Sequence, residues 1–321
     1  MSSYTDLLIK AINYDYPETI PVSIWVVPAL WKKHPQQVKE IVSRYPQFFG
    51  NLAEEFNYDT HTPPSYHQGT HVDEWGCVWS NIQEGMESIV TGHPVKTREE
   101  INSLKIPENR NGSMPHGFMY LRLLDLRGFE EAMIDFAEEP PELQILIDKV
   151  LEYNLIQVEI AVKNNKQPIQ ILGDDLGMQN GLAIGKKKWV QYMKPCFTAI
   201  YKKIHDAGKY IYMHTDGCIW EILPDLKEAG ADIINPQFRA NGLDNLVKQC
   251  KGKIPIHLDL DRQLLPFANP SSIEEHIKEC VQAMYLPEGG LGLYLEFGMD
   301  TNLDVMDAAL AALEKYRHYK G

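Results

Sequence analysis

Polar side chains that could bind a metal or move protons recur where apolar, strand-like runs of this sequence end. Asp174 and Asp175 follow the run Ile-Gln-Ile-Leu-Gly, and His214 and Asp216 follow Lys-Tyr-Ile-Tyr-Met. Imidazole and carboxylate groups that converge could bind Zn²⁺ with one position open for substrate, or could act as general acid and base. The full set of polar strand ends is Asp174, Asp175, His214, Asp216, Asn235, Gln237, His257, Asp259 and Glu296.

These residues also have structural interpretations. A histidine at a strand end often only forms hydrogen bonds, and Asp216 with Gly217 could simply make a turn and cap a helix. Recurrence at five strand ends favours a functional site, because a barrel brings the carboxyl ends of its strands to one mouth. Glu296 lies between two apolar residues, where an ionised carboxylate needs a partner or a metal.

Strand and helix patterns alternate with short connections from about residue 115 onward, which is typical of a parallel sheet. No Gly-x-Gly-x-x-Gly follows a strand, and the long βα series favours a closed barrel over a doubly wound sheet. We predict one α/β domain over residues 1–321, a TIM (β/α)8 barrel with an amino-terminal extension and a long irregular lobe at 58–95. The predicted strands are 19–27, 168–173, 209–214, 231–235, 254–259 and 291–296, with a further strand or strand end at 115–121. The predicted helices are 128–137, 141–164, 187–207, 218–229, 242–250, 271–285 and 303–318.

Composition narrows the functional classes. The chain has 321 residues and a formal net charge of −13, which disfavours binding to nucleic acid or to an anionic membrane. The same charge disfavours a highly anionic substrate unless a local basic pocket overrides it. The five cysteines contain no Cys-x-x-Cys pair, the amino terminus lacks a signal-peptide pattern, and no run of 18 apolar residues is present. We therefore expect a cytoplasmic protein with reduced thiols and no membrane span.

Several motifs together resemble the uroporphyrinogen decarboxylase superfamily. The resemblance covers roughly residues 115–315, and Asp73-Glu74-Trp75-Gly76 fits many members as well. It implies a TIM barrel with its active site at the carboxyl ends of the strands. The motifs are Gly173-Asp174-Asp175-Leu176-Gly177-Met178-Gln179, Trp189 to Pro195, His214-Thr215-Asp216-Gly217, Gly230-Ala231-Asp232-Ile233-Ile234-Asn235-Pro236 and Gly289-Gly290.

One branch of this family decarboxylates uroporphyrinogen, and its members resemble one another in an amino-terminal Arg-x-x-Gly-Arg segment that grips substrate carboxylates. This chain instead has Ser-Ile-Trp-Val-Val at 23–27 and no arginine before Arg44. A substrate that carries many carboxylates needs such cations. The sequence therefore disfavours the uroporphyrinogen branch.

The other branch comprises zinc-dependent methyltransferases that exchange methyl groups with a corrinoid protein. Its coenzyme M enzymes carry His-x-Cys on one strand and a further Cys on the last strand. Here the first motif becomes His214-Thr215-Asp216, and the last position falls near Glu296. Oxygen ligands in place of thiolates leave more positive charge on zinc, which suits an ether oxygen better than a thiol.

The resemblance thus implies a zinc-dependent methyltransferase that moves a methyl group from a methoxylated, aromatic substrate to a corrinoid protein. The corrinoid (cobalamin) is expected on a partner protein, since this chain lacks an Asp-x-His-x-x-Gly cobalamin motif. Aromatic side chains of the 58–95 lobe could sandwich the substrate ring. The assigned residues are His214, Asp216, His257 and Glu296 for zinc, Asp174 and Asp175 for proton donation or ligand positioning, and Trp25, Gln179, Asn235 and Gln237 for substrate.

Three alternatives remain open at this point. The chain could be a metal-free decarboxylase of a smaller acid, with Asp174 or Asp175 as the proton donor. It could transfer a methyl group between methylcobalamin and a thiol. It could also be a non-catalytic accessory barrel, although a binding module does not need five polar strand ends. A homodimer through the helix faces is possible in a barrel of this kind.

Overall fold

A computed structural model describes residues 3–321 of the chain. Short 3₁₀ turns at Pro64–Tyr66 and Arg262–Leu264, and a π-helical turn at Trp189–Met193, accompany the regular elements. The strands are β1 Val22–Val26, β2 Gly69–Val72, β3 Val78–Asn81, β4 Ile89–Gly92, β5 Ile169–Gly173, β6 Tyr210–Thr215, β7 Ile233–Pro236, β8 Ile256–Asp259 and β9 Leu291–Phe297. The helices are α1 Tyr4–Asn13, α2 Pro28–Lys33, α3 Pro35–Ser43, α4 Pro46–Phe49, α5 Leu52–Glu55, α6 Tyr58–His61, α7 Arg98–Ser103, α8 Tyr120–Arg127, α9 Phe129–Glu138, α10 Pro141–Asn164, α11 Gly185–Lys188, α12 Lys194–Asp206, α13 Leu223–Ala229, α14 Phe238–Asn241, α15 Leu243–Cys250, α16 Pro270–Met284 and α17 Leu303–Tyr316.

The chain forms two compact units, each assembled from segments that are distant in sequence. The first unit comprises Met1–Gly69, Ser80–Ile89 and Gln237–Gly321. The second comprises Thr70–Trp79 and Val90–Pro236. Each unit contains parallel strands connected through helices, and the chain as a whole has an α/β fold of the TIM-barrel type, as predicted.

In the second unit, strands β5, β6 and β7 pair in parallel. Gly173 lies opposite His214, and His214 lies opposite Asn235, so the three residues form one row across the sheet. Successive side chains of a strand point to opposite faces, and the neighbouring Leu172 and Met213 are accordingly buried on the other face. The row Gly173–His214–Asn235 therefore faces away from this apolar layer, near the carboxyl ends of the strands.

In the first unit, β1, β9 and β8 pair in parallel in that order. Trp25 lies opposite Glu296, and Asp259 lies opposite Tyr294. The apolar residues that alternate with them, such as Leu295, are buried. This unit thus also presents polar and aromatic groups toward the carboxyl ends of its strands.

Most predicted elements of the βα series are confirmed. Helix α10 spans the predicted 141–164 and has a proline at its first position, where the missing N–H has no intrahelical partner to lose. Helix α13 ends at Ala229 and is followed by Gly230, whose φ is 121°; a glycine tolerates this positive φ. The strands from β5 to β9 agree with their predictions to within a few residues.

The predicted strand at 115–121 is wrong. Residues 115–119 are irregular, and α8 begins at Tyr120. The physical reason is tertiary, because the backbone N–H groups of residues 119–121 all donate to the side chain of Asp174 instead of to a neighbouring strand. Local propensity is a weak guide where such a contact decides the backbone conformation.

Two other boundaries differ from their predictions. The helix predicted to begin at residue 218 begins at Leu223, because the N–H of Cys218 donates to the carbonyl of Met178 in the preceding loop. The 58–95 lobe is less irregular than predicted, since β2, β3 and β4 form a small sheet in that order.

Asp73 explains the Asp-Glu-Trp-Gly motif of the lobe. One carboxylate oxygen accepts the Trp79 indole N–H at 3.0 Å and lies 2.6 Å from Arg122 of α8. The other oxygen accepts the backbone N–H groups of Trp75 and Cys77 at 3.0 and 2.9 Å. The motif therefore fixes residues 73–79 onto α8 within the second unit.

All five cysteines are buried and in the thiol form. Burial raises the pKa of Cys77, Cys196 and Cys250 to about 12. Within residues 3–321, no helix combines the length and apolar character that crossing a bilayer requires.

His276 on α16 is a buried histidine that must be neutral. Its Nε2 accepts the backbone N–H of Asp261 at 3.0 Å, and its ring packs edge-on against Phe238 with centroids 4.5 Å apart. A protonated ring could not accept that hydrogen bond. Burial lowers the pKa of His276 to about 4, and the charge of Asp261 opposes this only in part.

Acidification should therefore destabilise the protein through His276. The pKa of His276 is lower in the folded protein than its ordinary value of 6.5. Its contribution to the free energy of unfolding is therefore complete above pH 6.5 and is lost as the pH falls toward the folded-state pKa. We expect the free energy of unfolding in urea to fall by about 2 kcal/mol through this residue between about pH 7 and about pH 5. His276→Gln can accept the same N–H without titrating, and it should lack this part of the pH dependence. Identical pH dependence in the two proteins would contradict the assignment.

Candidate active site

Three side chains of the second unit, His116, Asp175 and His214, form a compact cluster of nitrogen and oxygen donors. One ligand atom from each lies within 4.8 Å of the others. Nε2 of His116 is 3.1 Å from Oδ1 of Asp175, and the two imidazole centroids are 5.6 Å apart. All three side chains are partly exposed, so a ligand can reach them. Across residues 3–321, no other group of three or more histidine, cysteine or acidic side chains approaches in this way.

The cluster depends on the missing side chain of Gly173. A Cβ at this position would lie 2.5 Å from Nδ1 of His116, so the imidazole ring occupies the space that a side chain would fill. The N–H of Gly117 donates to the carbonyl of Gly173 at 2.8 Å and holds the His116 segment against the end of β5. Because Gly173 is opposite His214 in the sheet, this segment brings His116 next to His214.

Asp174 ties the end of β5 to the beginning of α8. Its carboxylate is fully buried and accepts the N–H groups of Met119, Tyr120 and Leu121 at 3.0, 2.6 and 2.9 Å. A helix amino terminus is a favourable environment for a carboxylate. Burial nevertheless raises the pKa of Asp174 to about 6, against the lowering effect of these amide hydrogen bonds. Through these hydrogen bonds Asp174 positions the start of α8 against the end of β5.

Asn235 determines which nitrogen of His214 is available. Nδ1 of His214 lies 2.7 Å from Oδ1 of Asn235. An amide oxygen only accepts hydrogen bonds, so Nδ1 carries the proton and Nε2 of the neutral ring has the lone pair. Nε2 faces Asp216, whose Oδ1 is 3.4 Å away. Metal-binding histidines typically have their other nitrogen held by a hydrogen-bonding partner in this way.

The loops after β5 and β6 are joined through their backbones. The N–H of Gly177 donates to the carbonyl of Asp216 at 3.2 Å. A Cβ on Gly217, whose φ is 85°, would overlap the carbonyl of Gly177. This close approach requires glycine on both loops, and it brings the N–H of Asp216 to 3.1 Å from Oδ1 of Asp175.

Asp175 is the anion of the cluster. Burial raises its pKa, but the hydrogen bond and charge of His116 and the N–H of Asp216 outweigh burial, so the pKa lies below its ordinary value. The carboxylate is therefore ionised near neutral pH and can act as a ligand or as a hydrogen-bond acceptor.

A scan of protein families gives a match to the model described as Uroporphyrinogen decarboxylase (URO-D) over residues 123–316. The chain belongs to the URO-D family. Among curated proteins, none matches the sequence. A solved structure, the methyltransferase from Methanosarcina mazei, is similar with a TM-score of 0.70 and 14% identity, over 98% of this chain and 99% of that chain. At this level of identity, the similarity shows that the two proteins share a fold.

Of the four metal ligands predicted for this URO-D family member, His214 belongs to the cluster and Asp216 lies beside it. The predicted ligand His257 is fully buried on β8 of the first unit. Its ring lies 6.3 Å from that of Tyr4 and 6.1 Å from that of Tyr294, and burial lowers its pKa to about 3. These are the surroundings of a core histidine.

Glu296, the fourth predicted ligand, is engaged within the first unit. Its Oε1 forms a 2.9 Å ion pair with Arg262. This pair supplies the partner that an ionised carboxylate between apolar neighbours requires. The residues predicted to contact substrate are distributed over both units. Trp25 lies on β1 opposite Glu296, and Gln237 forms a β-bridge with Asp259. Asn235 lies on β7 against His214, and Gln179 is exposed in the loop after β5.

His116 is the member of the cluster that the sequence patterns did not reveal. It falls near the start of the wrongly predicted strand at 115–121, whereas functional residues were expected at strand ends. The available signal was its position between Pro115 and Gly117, whose φ is 74°. A polar residue between a proline and a glycine indicates a turn that can present its side chain.

A methyl group at position 173 of this URO-D family member should destabilise it through His116. Gly173→Ala places a Cβ in the space of the imidazole ring, and overpacking of this kind costs about 1–3 kcal/mol. In a His116→Ala background the same change should cost less than about 0.5 kcal/mol, because the crowded contact is gone. Urea unfolding of the four proteins measures the coupling free energy. Equal losses in both backgrounds would mean that the new Cβ meets some other group.

Proposed function

We propose that this URO-D family member is a zinc-dependent methyltransferase that moves a methyl group from a methoxylated aromatic compound to a corrinoid protein. The observation that carries the proposal is the His116–Asp175–His214 cluster, in which Asn235 holds the Nδ1 proton of His214. The similarity to the methyltransferase from Methanosarcina mazei supports the choice of this branch of the family.

The donor set fits zinc. Two imidazoles and one carboxylate are ligands that catalytic zinc uses, and they leave a fourth position for substrate. One ligand atom from each side chain lies within 4.8 Å of the others, so His116, Asp175 and His214 would hold one zinc ion between them. When bound, zinc would supply Lewis-acid polarisation of the ether oxygen.

Residues around the cluster orient its ligands. Asn235 keeps the lone pair of His214 on Nε2, and Asp174 holds the segment that carries His116. Asp216 lies beside Nε2 of His214 and stays a predicted metal ligand. Trp25, Gln179 and Gln237 stay predicted contacts to the substrate.

The methyl acceptor is expected on a separate protein, because the sequence lacks a cobalamin-binding motif. In the proposed reaction the carbon–oxygen bond of the aryl ether breaks, and the Co(I) corrinoid provides the electron pair for the new carbon–cobalt bond. The aryl oxygen leaves as a phenolate and is then protonated. The balance needs no further oxidant or reductant.

Metal content and methyl transfer should depend together on the cluster. We expect about one zinc per chain in the wild-type protein, measured by plasma mass spectrometry, and its loss in His116→Ala and His214→Ala. Methyl transfer from 2-methoxyphenol to cob(I)alamin, followed by the absorbance of methylcobalamin, should be lost in the same two variants. Their circular dichroism should match the wild type.

His205→Ala is the matched control, since it removes an exposed histidine of the same unit that pairs with Asp232. It should keep both zinc and activity. Absence of zinc from the wild type, even after zinc is supplied, would reject the Lewis-acid mechanism and favour a metal-free decarboxylase. Zinc that survives His116→Ala but not His214→Ala would remove His116 from the ligand set.

A further inference from the structure

Helix α10 carries an open groove on its solvent side, next to α12 of the same unit. The groove has a volume of about 400 Å³, and its floor consists of Leu151, Leu155 and Ile156, which are only partly buried. Residues three and four positions apart lie on one face of a helix, so these side chains form a continuous apolar stripe. None of them belongs to the proposed metal site, and the proposed methyl transfer does not explain the stripe.

The amino-terminal end of the groove is acidic. Asp148 and Glu152 line it, and both are exposed. Asp148 accepts a hydrogen bond from the neutral side chain of Gln144 at 2.8 Å, and among residues 3–321 neither acid has a lysine or arginine partner. The helix macrodipole favours acids in the first turn, whereas these two lie beyond the second turn of α10. This end of the groove therefore carries two negative charges that the chain does not balance.

The carboxyl-terminal end of the same stripe is basic. Lys163 and Lys203 of α12 lie 3.2 and 3.4 Å from the carboxylate of Glu159. Lys166, just beyond the end of α10, is exposed, and its Nζ donates to the backbone carbonyl of Lys163. Three lysines share one glutamate, so two positive charges remain at this end.

Opposite charges at the two ends of one stripe restrict which partner can bind. A uniformly charged partner, such as nucleic acid or an anionic membrane, would be repelled at one end. A second copy of α10 that runs antiparallel places its basic end on the acidic end and its acidic end on the basic end, while the apolar stripes meet between them. A two-fold axis creates this arrangement, because each contact between two residues then occurs twice. An apolar centre with a polar rim is also the usual composition of a protein interface.

We propose that α10 forms the interface of a symmetric homodimer, in which the acids Asp148 and Glu152 of each copy face Lys163 and Lys166 of the other. Glu152 and Lys163 are about 16 Å apart along the helix axis, so the charge contacts flank the joined apolar stripes on both sides. The interface lies wholly within the second unit. Neither zinc nor a methyl donor takes part in it, and the dimer is independent of the proposed function.

Sedimentation velocity of the full-length protein measures this association. At about 100 μM chain we expect a species of twice the 36.8 kDa chain mass, with a dissociation constant on the order of 10 μM. A salt concentration of about 0.15 M screens the repulsion between two chains of net charge −13 beyond about 8 Å and leaves closer contacts effective. A protein that sediments only as a monomer under these conditions would overturn the inference.

Charge reversal in two separate chains tests the interface itself. Glu152→Lys and Lys163→Glu each bring like charges together in the homodimer, so each variant alone should dimerise at least about tenfold more weakly. An equimolar mixture of the two variants should dimerise again, because the two introduced charges then face each other and one native pair is kept. Both positions are exposed, and the circular dichroism of each variant should match the wild type.

Glu130→Lys on α9 and Lys187→Glu on α11 are the matched controls. They make the same charge changes at exposed positions of the same unit, outside the groove. Both should dimerise as the wild type does. Glu152→Lys and Lys163→Glu proteins that associate as tightly as these controls, or a mixture of the two that stays monomeric, would reject α10 as the interface.

Discussion

Asp174 is a fully buried carboxylate that ends strand β5 and accepts three backbone N–H groups at the beginning of α8. Such a group is costly to bury unless its hydrogen bonds are complete. The chain can satisfy it only by bringing residues 119–121 to the sheet edge, and that requirement places His116 over Gly173. The donor cluster is thus a consequence of how one buried charge is satisfied beside it.

The same device recurs in the first unit. Asp261 follows β8, is buried, and accepts hydrogen bonds from Arg239 and from the backbone of Gln263. In both units a buried carboxylate just beyond a strand organises the adjoining segment. The first acidic residue after the strand fills this role in each case, namely Asp174 after β5 and Asp261 after β8. The protein in this way builds a cluster of imidazole and carboxylate donors in one unit and a fixed Arg239 side chain in the other.

The parts of the fold that the sequence predicts well are those governed by local patterns. Helix α10, with its initial proline, and strands β5 to β9 follow from apolar periodicity and capping residues. The polar strand ends Asp175 and His214 were found by the same reasoning. His116 was missed because its position depends on the long-range contacts of Asp174 and on the absent side chain of Gly173, neither of which leaves a periodic signal. The pairing of Glu296 with Arg262 was hidden for the same reason, since two separate elements must pack before it exists.

The backbone contact between Gly177 and Gly217 restricts how this scaffold can diversify. The backbone of each loop fills the space that a side chain on the other loop would need. Neither glycine can therefore be replaced, nor can either loop change length at that point, without a matching change in the other loop. Single substitutions at Gly177 or Gly217 are therefore disfavoured, and sequence change is easier in parts of the molecule that have no such contact. The exposed turn that carries Phe267 is free of such a constraint. Substitutions at that turn can therefore accumulate one at a time, whereas the loops after β5 and β6 have to change together.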